Sequence, residues 1–201
     1  MTKIKLCGMR RVIDIQTANT LKVEFIGFVF WPKSKRMVTP EEAAELKSIL
    51  SPDIAAVGVF VDEKAETVAE LLNRGTIDIA QLHGSEDEAY IRHLRTLTRK
   101  PLIQAFRIRE QKDLEAAACS SAESVLLDAG KGDGITFDWT LLRDFSRPYF
   151  LAGGLTPENV SAAIDQLHPY AVDISSGIET NGIKDAEKMT AFVKAVRKEN
   201  L

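Results

Sequence analysis

Short runs of apolar and β-branched residues return along this chain roughly every 20 to 30 residues, separated by longer amphipathic segments. There are eight such runs: IKLCG, FIGFVF, IAAVGVF, IDIAQLHG, PLIQAFRI, SVLLDAG, PYFLAGG and YAVDISSG. The spacing is the length of one strand, one loop and one helix, so it predicts repeated βα units. Such units build either an open, doubly wound parallel sheet or a closed (βα)8 barrel.

The closed (βα)8 barrel is the favoured architecture. The eight runs match its strand number, no change of composition divides the chain, and no G-x-G-x-x-G sequence opens the first helix. A chain of 201 residues lies near the small end of the size range of such barrels. We therefore expect residues 1–201 to form a single-domain α/β barrel, with a helix after each strand.

Two of the amphipathic segments carry recognisable helix starts. Thr39 can cap a helix that has Pro40 in its first turn, and Glu42 completes a capping box. Thr156 and Pro157 repeat the same Thr-Pro start. We therefore expect helices to begin at both places.

Composition excludes several classes of protein. Charged residues make up 27% of the chain with both signs represented, and the formal net charge is −3, so no basic surface for nucleic acid is expected. No apolar run approaches the length of a membrane span, and a strand-like KIKLCG follows Met1 where a secretion signal would have its apolar core. We expect a cytoplasmic protein without a membrane partner.

The two cysteines, Cys7 and Cys119, lie far apart and show neither CxxC nor Cys/His spacing. This pattern fits a reducing compartment better than a disulfide framework or a zinc site. We expect both to be free thiols, with Cys119 packed at the end of a helix.

Polar residues that end the predicted strands are the candidates for an active site, because barrel enzymes place their chemistry at the C-terminal ends of the strands. The candidates are Cys7, Arg36, Gln81, His83, Arg107, Asp128, Gly153, Gly154, Ser175, Ser176 and Gly177. Scattered in sequence, these residues should converge in space.

The loops after the seventh and eighth strands give the strongest chemical signal. LAGGLTPEN and DISSGIE place small residues where backbone N–H groups can approach a ligand, at the usual phosphate site of such barrels. A phosphorylated small molecule is the predicted ligand. The alternative is that the glycines only turn the chain.

Cys7 and Asp128 could divide base and acid roles if they face one cavity from different strands. The thiol, which ordinarily titrates near ~8.5, would need a nearby positive charge, for which Arg10 and Arg36 are candidates. Each residue also has a structural alternative. Cys7 could be a small buried hydrophobe, and Asp128 could cap a helix or loop.

Other polar candidates have ordinary alternatives too. The planar guanidinium of Arg36 suits a carboxylate, although spacing alone favours a solvated charge. His83 can titrate or donate a hydrogen bond, although a histidine at a strand end is more often satisfied by its neighbours. His93 falls in a predicted helix and His168 near a helix end, so the three histidines do not make a metal site. Asp173, inside a predicted strand, is expected to be buried and to orient other groups.

Along essentially the whole chain, ordered segments resemble the phosphoribosylanthranilate isomerase family of the tryptophan pathway. These segments are KLCGM, IGFVFWPKSKR, VGVFVD, QLHG, LLDA, TFDW, LAGGLTPENV and DISSGIE. The family's fold is a (βα)8 barrel, which agrees with the strand count. The resemblance implies an Amadori rearrangement of N-(5-phosphoribosyl)anthranilate to 1-(o-carboxyphenylamino)-1-deoxyribulose 5-phosphate.

The resemblance also implies roles for individual residues. The family's general acid matches Asp128, its general base matches Cys7, and the arginine that holds the anthranilate carboxylate matches Arg36. The phosphate cradle matches Gly153, Gly154, Ser175, Ser176 and Gly177, and we expect further substrate contacts from Gln81, His83, Arg107 and Asp173. No metal or organic cofactor is implied, and the chain is expected to be a monomer or a homodimer.

Three segments depart from the family's pattern. Arg10 stands where the family commonly has threonine, which predicts a differently charged first loop. The loop AGKGDGITFDW after the sixth strand is short, and TLKVE replaces the usual Ala-Gly-Ala end of the first helix. The loop departure concerns loop mobility and closure over the substrate, whereas the helix-end departure concerns local packing more than chemistry.

Two kinds of protein compete with this interpretation. Indole-glycerol-phosphate synthase relies on a lysine-rich acid and base set, and the histidine-pathway aminoaldose isomerase pairs two aspartates. The combination of Cys7 with Asp128 argues against both. A non-catalytic sensor of phosphorylated ligands would keep the anion site without needing an acid and a base.

Overall fold

A closed barrel of eight parallel strands, β1 to β8 in chain order, forms the centre of the molecule. The computed structural model describes residues 1–129 and 139–198, with the backbone alone at Thr140. The barrel strands are β1 Lys3–Cys7, β2 Phe25–Val29, β3 Ala55–Phe60, β4 Ile79–Leu82, β5 Leu102–Arg107, β6 Ser124–Asp128, β7 Tyr149–Ala152 and β8 Ala171–Ile174. The predicted closed (βα)8 barrel is therefore confirmed.

Seven α-helices surround the barrel in the described parts of the chain. They are α1 Val12–Leu21, α2 Pro40–Ser48, α3 Ala65–Asn73, α4 Glu88–Leu97, α5 Gln111–Cys119, α6 Val160–Leu167 and α7 Ala186–Arg197. A short antiparallel hairpin, β9 Glu179–Thr180 and β10 Ile183–Lys184, lies between β8 and α7.

The expected helix between β6 and β7 is not found in the described part of that connection, residues 139–148. This part contains only the 3₁₀ helix Trp139–Leu142. Pro148 directly precedes β7, and the residue before a proline is disfavoured in the helical region, so little chain is left for a longer helix.

One of the two predicted helix starts is confirmed and the other is shifted. The Thr39 hydroxyl accepts a hydrogen bond from the N–H of Glu42, whose carboxylate accepts from the N–H of Thr39 at 2.8 Å. By contrast, α6 begins at Val160, because Asn159 holds the Thr-Pro segment in a turn. The Asn159 side chain accepts from the N–H of Thr156 and donates to the carbonyl of Gly154.

Alternate residues of each strand point into the barrel, as the two-residue period of a strand requires. An apolar cluster that includes Phe25, Val57, Ile103, Leu126 and Phe150 fills the interior. These five residues lie before the ends of their strands, so the packed core lies beneath the C-terminal ends of the strands. Those ends are left to carry polar groups.

Cys119 is a free thiol at the last residue of α5 and is exposed, so the expectation that it packs at the helix end is wrong. Cys7 is also free, but it is buried. In the part of the chain that the structure describes, no helix combines the length and the apolar composition that crossing a bilayer requires.

Candidate active site

A cavity of about 310 Å³ opens at the C-terminal end of the barrel. Its lining residues come from seven of the eight strands, all but β5, and from the loops that follow β2, β4, β7 and β8: Cys7, Val29, Ser34, Arg36, Val59, Gln81, His83, Asp128, Ala152, Gly153, Gly154, Leu155, Asp173, Ile174, Ser175, Ser176 and Gly177. The predicted convergence therefore occurs for every candidate except Arg107.

Cys7 ends β1 and packs with Val29 and Val59 at the bottom of this cavity. It lies in register with Gly27 of β2, and a Cβ atom at Gly27 would lie only 2.7 Å from Cys7 Sγ. The absence of a side chain at Gly27 therefore makes room for the sulfur. Burial raises the pKa of the Cys7 thiol above its ordinary value, and the charges of Lys5 and Lys184 offset only part of this rise.

Asp128 is the last residue of β6 and lines the same cavity. Its neighbours there are Gln81 of β4 and His83, which follows β4 directly. His83 Nε2 lies 3.8 Å from Asp128 Oδ2, and His83 Nδ1 lies 2.7 Å from Gln81 Nε2. Within the described residues, Gln81 Oε1 is buried without a hydrogen-bond partner. An amide oxygen left this way is a ready acceptor for a ligand hydroxyl or N–H group.

A buried ion pair lies beside Cys7. Lys5 is fully buried in the barrel interior, and its Nζ lies 2.9 Å from Asp173 Oδ1. Burial alone would lower the pKa of Lys5, but Asp173 and Cys7 more than offset it, so this pKa lies above its ordinary value. The sulfur therefore faces a lysine that remains charged.

Arg36 is held by a residue that sequence reasoning missed. Its Nε and Nη2 donate to the two carboxylate oxygens of Glu179 at 2.6 and 2.7 Å, a bidentate arrangement. Lys184 Nζ donates to the same carboxylate at 2.7 Å and to the Ser175 carbonyl at 2.8 Å. Burial alone would raise the pKa of Glu179, but these two cations lower it to about 2.

The loops after β7 and β8 form one wall of the cavity. Gly153 and Gly154 have φ values of 94° and 65°, a backbone conformation that favours glycine. A side chain at Gly177 would collide with the carbonyl oxygen of Leu155, so the two loops pack backbone against backbone. Small residues therefore leave main-chain groups of both loops accessible to a ligand, as the predicted phosphate site requires.

Two expectations from the sequence, for Arg107 and for Arg10, are not met, and a third concerns a loop outside the described residues. Arg107, at the end of β5, pairs in register with Asp128 but is exposed and does not line the cavity, because its long charged side chain reaches water. Arg10 donates to the carbonyl of Lys35 instead of facing Cys7. The short loop after β6 falls on residues 130–138, outside the described residues.

Sequence reasoning also missed Lys5, Lys184 and Gly27. The signal for Lys5 was present, since it lies two residues before Cys7 on one strand and therefore on the same face. The positive charges that act on Cys7 are chiefly those of Lys5 and Lys184. Among the described residues, no group of three or more His, Cys, Asp or Glu side chains is placed to hold a metal ion.

A family model and individual known proteins both match this chain, and they point to the same family. The family model described as N-(5'phosphoribosyl)anthranilate (PRA) isomerase matches residues 4–195. The N-(5'-phosphoribosyl)anthranilate isomerase of Endomicrobium trichonymphae is 42% identical over 202 residues, covering 98% of this chain and 99% of that protein.

Solved structures of phosphoribosyl anthranilate isomerases are similar to this chain as well. The phosphoribosyl anthranilate isomerase of Thermotoga maritima superposes with a TM-score of 0.90 at 36% identity, covering 98% of this chain and 100% of that one. A crystal structure of such an enzyme in complex with reduced 1-(o-carboxyphenylamino)-1-deoxyribulose 5-phosphate gives a TM-score of 0.88 at 36% identity. It covers 98% of this chain and 100% of that one.

Proposed function

The chain belongs to the N-(5'-phosphoribosyl)anthranilate isomerase family and is an isomerase of tryptophan biosynthesis, and we propose that Asp128 and Cys7 are its general acid and general base. The observation that carries this proposal is that both side chains line one cavity although β1 and β6 supply them from different parts of the barrel. An acid and a base that reach one ligand from separate strands can act on different atoms of its sugar.

The first step opens the ribose ring. Asp128, protonated at the start, gives its proton to the ring oxygen of N-(5-phosphoribosyl)anthranilate as the bond between that oxygen and C1' breaks. The nitrogen lone pair forms the C1'=N bond, which yields a protonated Schiff base. Asp128 ends this step as a carboxylate, 3.8 Å from the His83 ring.

The second step removes the proton from C2'. The Cys7 thiolate takes this proton, and the electrons of the C2'–H bond form a C1'=C2' bond while the C1'=N electrons return to nitrogen. The product is a neutral enolamine. Its tautomerisation moves a proton from the C2' hydroxyl to C1' and gives the ketone, and both protein groups then exchange protons with water.

Binding contacts hold the two ends of the substrate. The phosphate is assigned to Gly153, Gly154, Ser175, Ser176 and Gly177, and the sugar to Gln81, His83 and Asp173. Arg36 takes the anthranilate carboxylate with the N–H groups of Nη1 and the second N–H of Nη2, because its Nε and the other N–H of Nη2 donate to Glu179. Arg107 is left out, since it does not line the cavity.

A steady-state assay with freshly made N-(5-phosphoribosyl)anthranilate tests this function. Loss of substrate fluorescence, together with chromatographic identification of the aminoketose product, is the expected result. Saturable binding of the reduced product analogue without any turnover would instead indicate a phosphate-ligand sensor and would contradict the proposal.

A further inference from the structure

Lys5 occupies an unusual place for a lysine. It lies in the middle of β1 with its side chain fully buried, and the two-residue period of the strand puts it on the same inward face as Cys7. A buried ammonium group is costly unless it is paired and hydrogen-bonded. Its contacts therefore show what stabilises it there.

Two groups meet the Lys5 ammonium inside the barrel. Asp173 is its direct partner across the β1–β8 pair, in register and at 2.9 Å. The Cys7 thiol is the second: it lies two residues further along β1 on the same inward face, and its charge acts on the same nitrogen. Lys5 thus joins a carboxylate to the sulfur that faces the cavity.

Stability alone gives little reason for such a pair. Replacing a buried ion pair by packed apolar side chains of similar volume is often neutral or stabilising. The apolar residues Val29 and Val59 already occupy neighbouring inward positions around Cys7. A charged residue at position 5 is better explained by what it does to the sulfur than by packing.

Other charged groups act on Cys7 as well. Lys184 of β10 and Arg36 of the loop after β2 carry positive charges that act on it, but both share the carboxylate of Glu179 on β9. Asp128 and His83 line the same cavity from β6 and from the end of β4. Among the cations, Lys5 has the largest effect on Cys7.

We propose that Lys5 is a positioning residue for the reaction, whose ammonium group stabilises and orients the Cys7 thiolate while Asp173 keeps that ammonium in place. The proposal rests on the proposed role of Cys7 as the base. Lys5 stays protonated throughout: the proton that leaves C2' forms an S–H bond on Cys7, and no proton passes to nitrogen.

The test follows the titration of one thiol. In a Cys119→Ser background Cys7 is the only cysteine, so its rate of alkylation by iodoacetamide against pH reports the thiolate directly. Lys5→Met should shift this titration upward by at least about one pH unit, because an opposite charge has been removed. Lys3→Met is the matched control, since Lys3 lies on the same strand but donates to Tyr170 Oη, and it should leave the titration unchanged.

A second variant guards against misfolding. Lys5→Met leaves Asp173 buried without its cation, whereas Lys5→Met/Asp173→Asn removes both charges. Because the positive charge of Lys5 acts on Cys7 more strongly than the negative charge of Asp173, the double variant should titrate between the wild type and Lys5→Met. A Cys7 titration in a folded double variant at or below that of the wild type would overturn the proposal.

Turnover separates this proposal from the proposed function. If Lys5 acts through the sulfur, the acidic limb of the kcat/KM profile should move to higher pH together with the Cys7 titration. A uniform loss of activity with an unmoved limb would mean that Lys5 is only structural. Wild-type turnover in Cys7→Ala would instead refute the base role itself, while the alkylation data would still measure the effect of Lys5.

Discussion

Gly27 faces Cys7 directly across the β1–β2 pair, and a Cβ atom at Gly27 would lie 2.7 Å from the sulfur and 3.1 Å from the Cys7 Cα atom. Real Cβ atoms do not show contacts as short as 2.7 Å, so the sulfur occupies space that only glycine leaves free. The position of the proposed base thus depends on a residue of the neighbouring strand.

Gly27→Ala should therefore displace the sulfur and lower kcat by roughly 10- to 100-fold, since small misplacements of a reacting group cost about that much. Steady-state kinetics and thermal unfolding measure the two effects separately. Gly58→Ala is the matched control. A Cβ atom at Gly58 of β3 would clash comparably with the side chain of Ile77, which precedes β4, but neither residue lines the cavity. Equal kcat losses in the two variants would argue against a specific effect on Cys7.

Cys7→Ala should lower turnover by at least ~100-fold with the fold retained, because the base that removes the C2' proton is lost. Circular dichroism checks the fold, and the substrate assay measures the rate. Cys119→Ala, at the exposed end of α5, should keep full activity. Turnover like that of the wild type in Cys7→Ala would remove Cys7 from the mechanism.

Asp128→Asn should also lower turnover by at least ~100-fold, since an amide cannot protonate the ring oxygen. The loss is expected mainly in kcat, as for an interaction made in the transition state. Asp165→Asn, which changes an exposed carboxylate paired with Lys198, serves as the control. An unaffected rate in Asp128→Asn would exclude the acid role.

Arg36→Met should weaken substrate binding by roughly 1.5 to 3 kcal/mol, the range for a hydrogen bond to a charged group, which raises KM about 10- to 150-fold. Glu179 keeps Lys184 as a partner in this variant, so the site should stay folded. Arg74→Met, on an exposed helical ion pair, should leave KM unchanged. An unaltered KM in Arg36→Met would show that the guanidinium does not hold the carboxylate.

Glu179 should make stability depend on pH in the acidic range. Its pKa falls from an ordinary 4.5 to about 2 in the folded state, so the unfolded chain binds more protons between these values. The stabilisation is fully present above about pH 4.5 and is lost as the pH falls toward 2. Glu179→Gln should therefore lower the urea midpoint at neutral pH, and the difference from the wild type should shrink on acidification.

Urea unfolding at several pH values between about 6 and about 3 measures this change. Glu115→Gln, at an exposed position of α5, should show no comparable effect at any pH. A Glu179→Gln difference that stays constant across this range would mean that its ion pairs with Arg36 and Lys184 contribute nothing that depends on ionisation.

The sequence by itself determined the eight strands, the closed barrel and the Thr39 helix start. Each of these depends on local patterns: the period of apolar residues, the length of one βα unit, and a capping box within four residues. Because barrel strands end at one face, the same patterns were enough to bring Cys7 and Asp128 into one cavity. The family resemblance then supplied their chemical roles.

Only the tertiary structure decided which charges act on the proposed base and which residues hold Arg36. Lys5 and Asp173 are separated by 168 positions in the chain, and Arg36 and Glu179 by 143, so no local pattern connects them. The space for the sulfur likewise depends on the register of two strands. Ion pairing and packing of this kind arise from contacts that exist only after the barrel has closed, because closure places β8 beside β1.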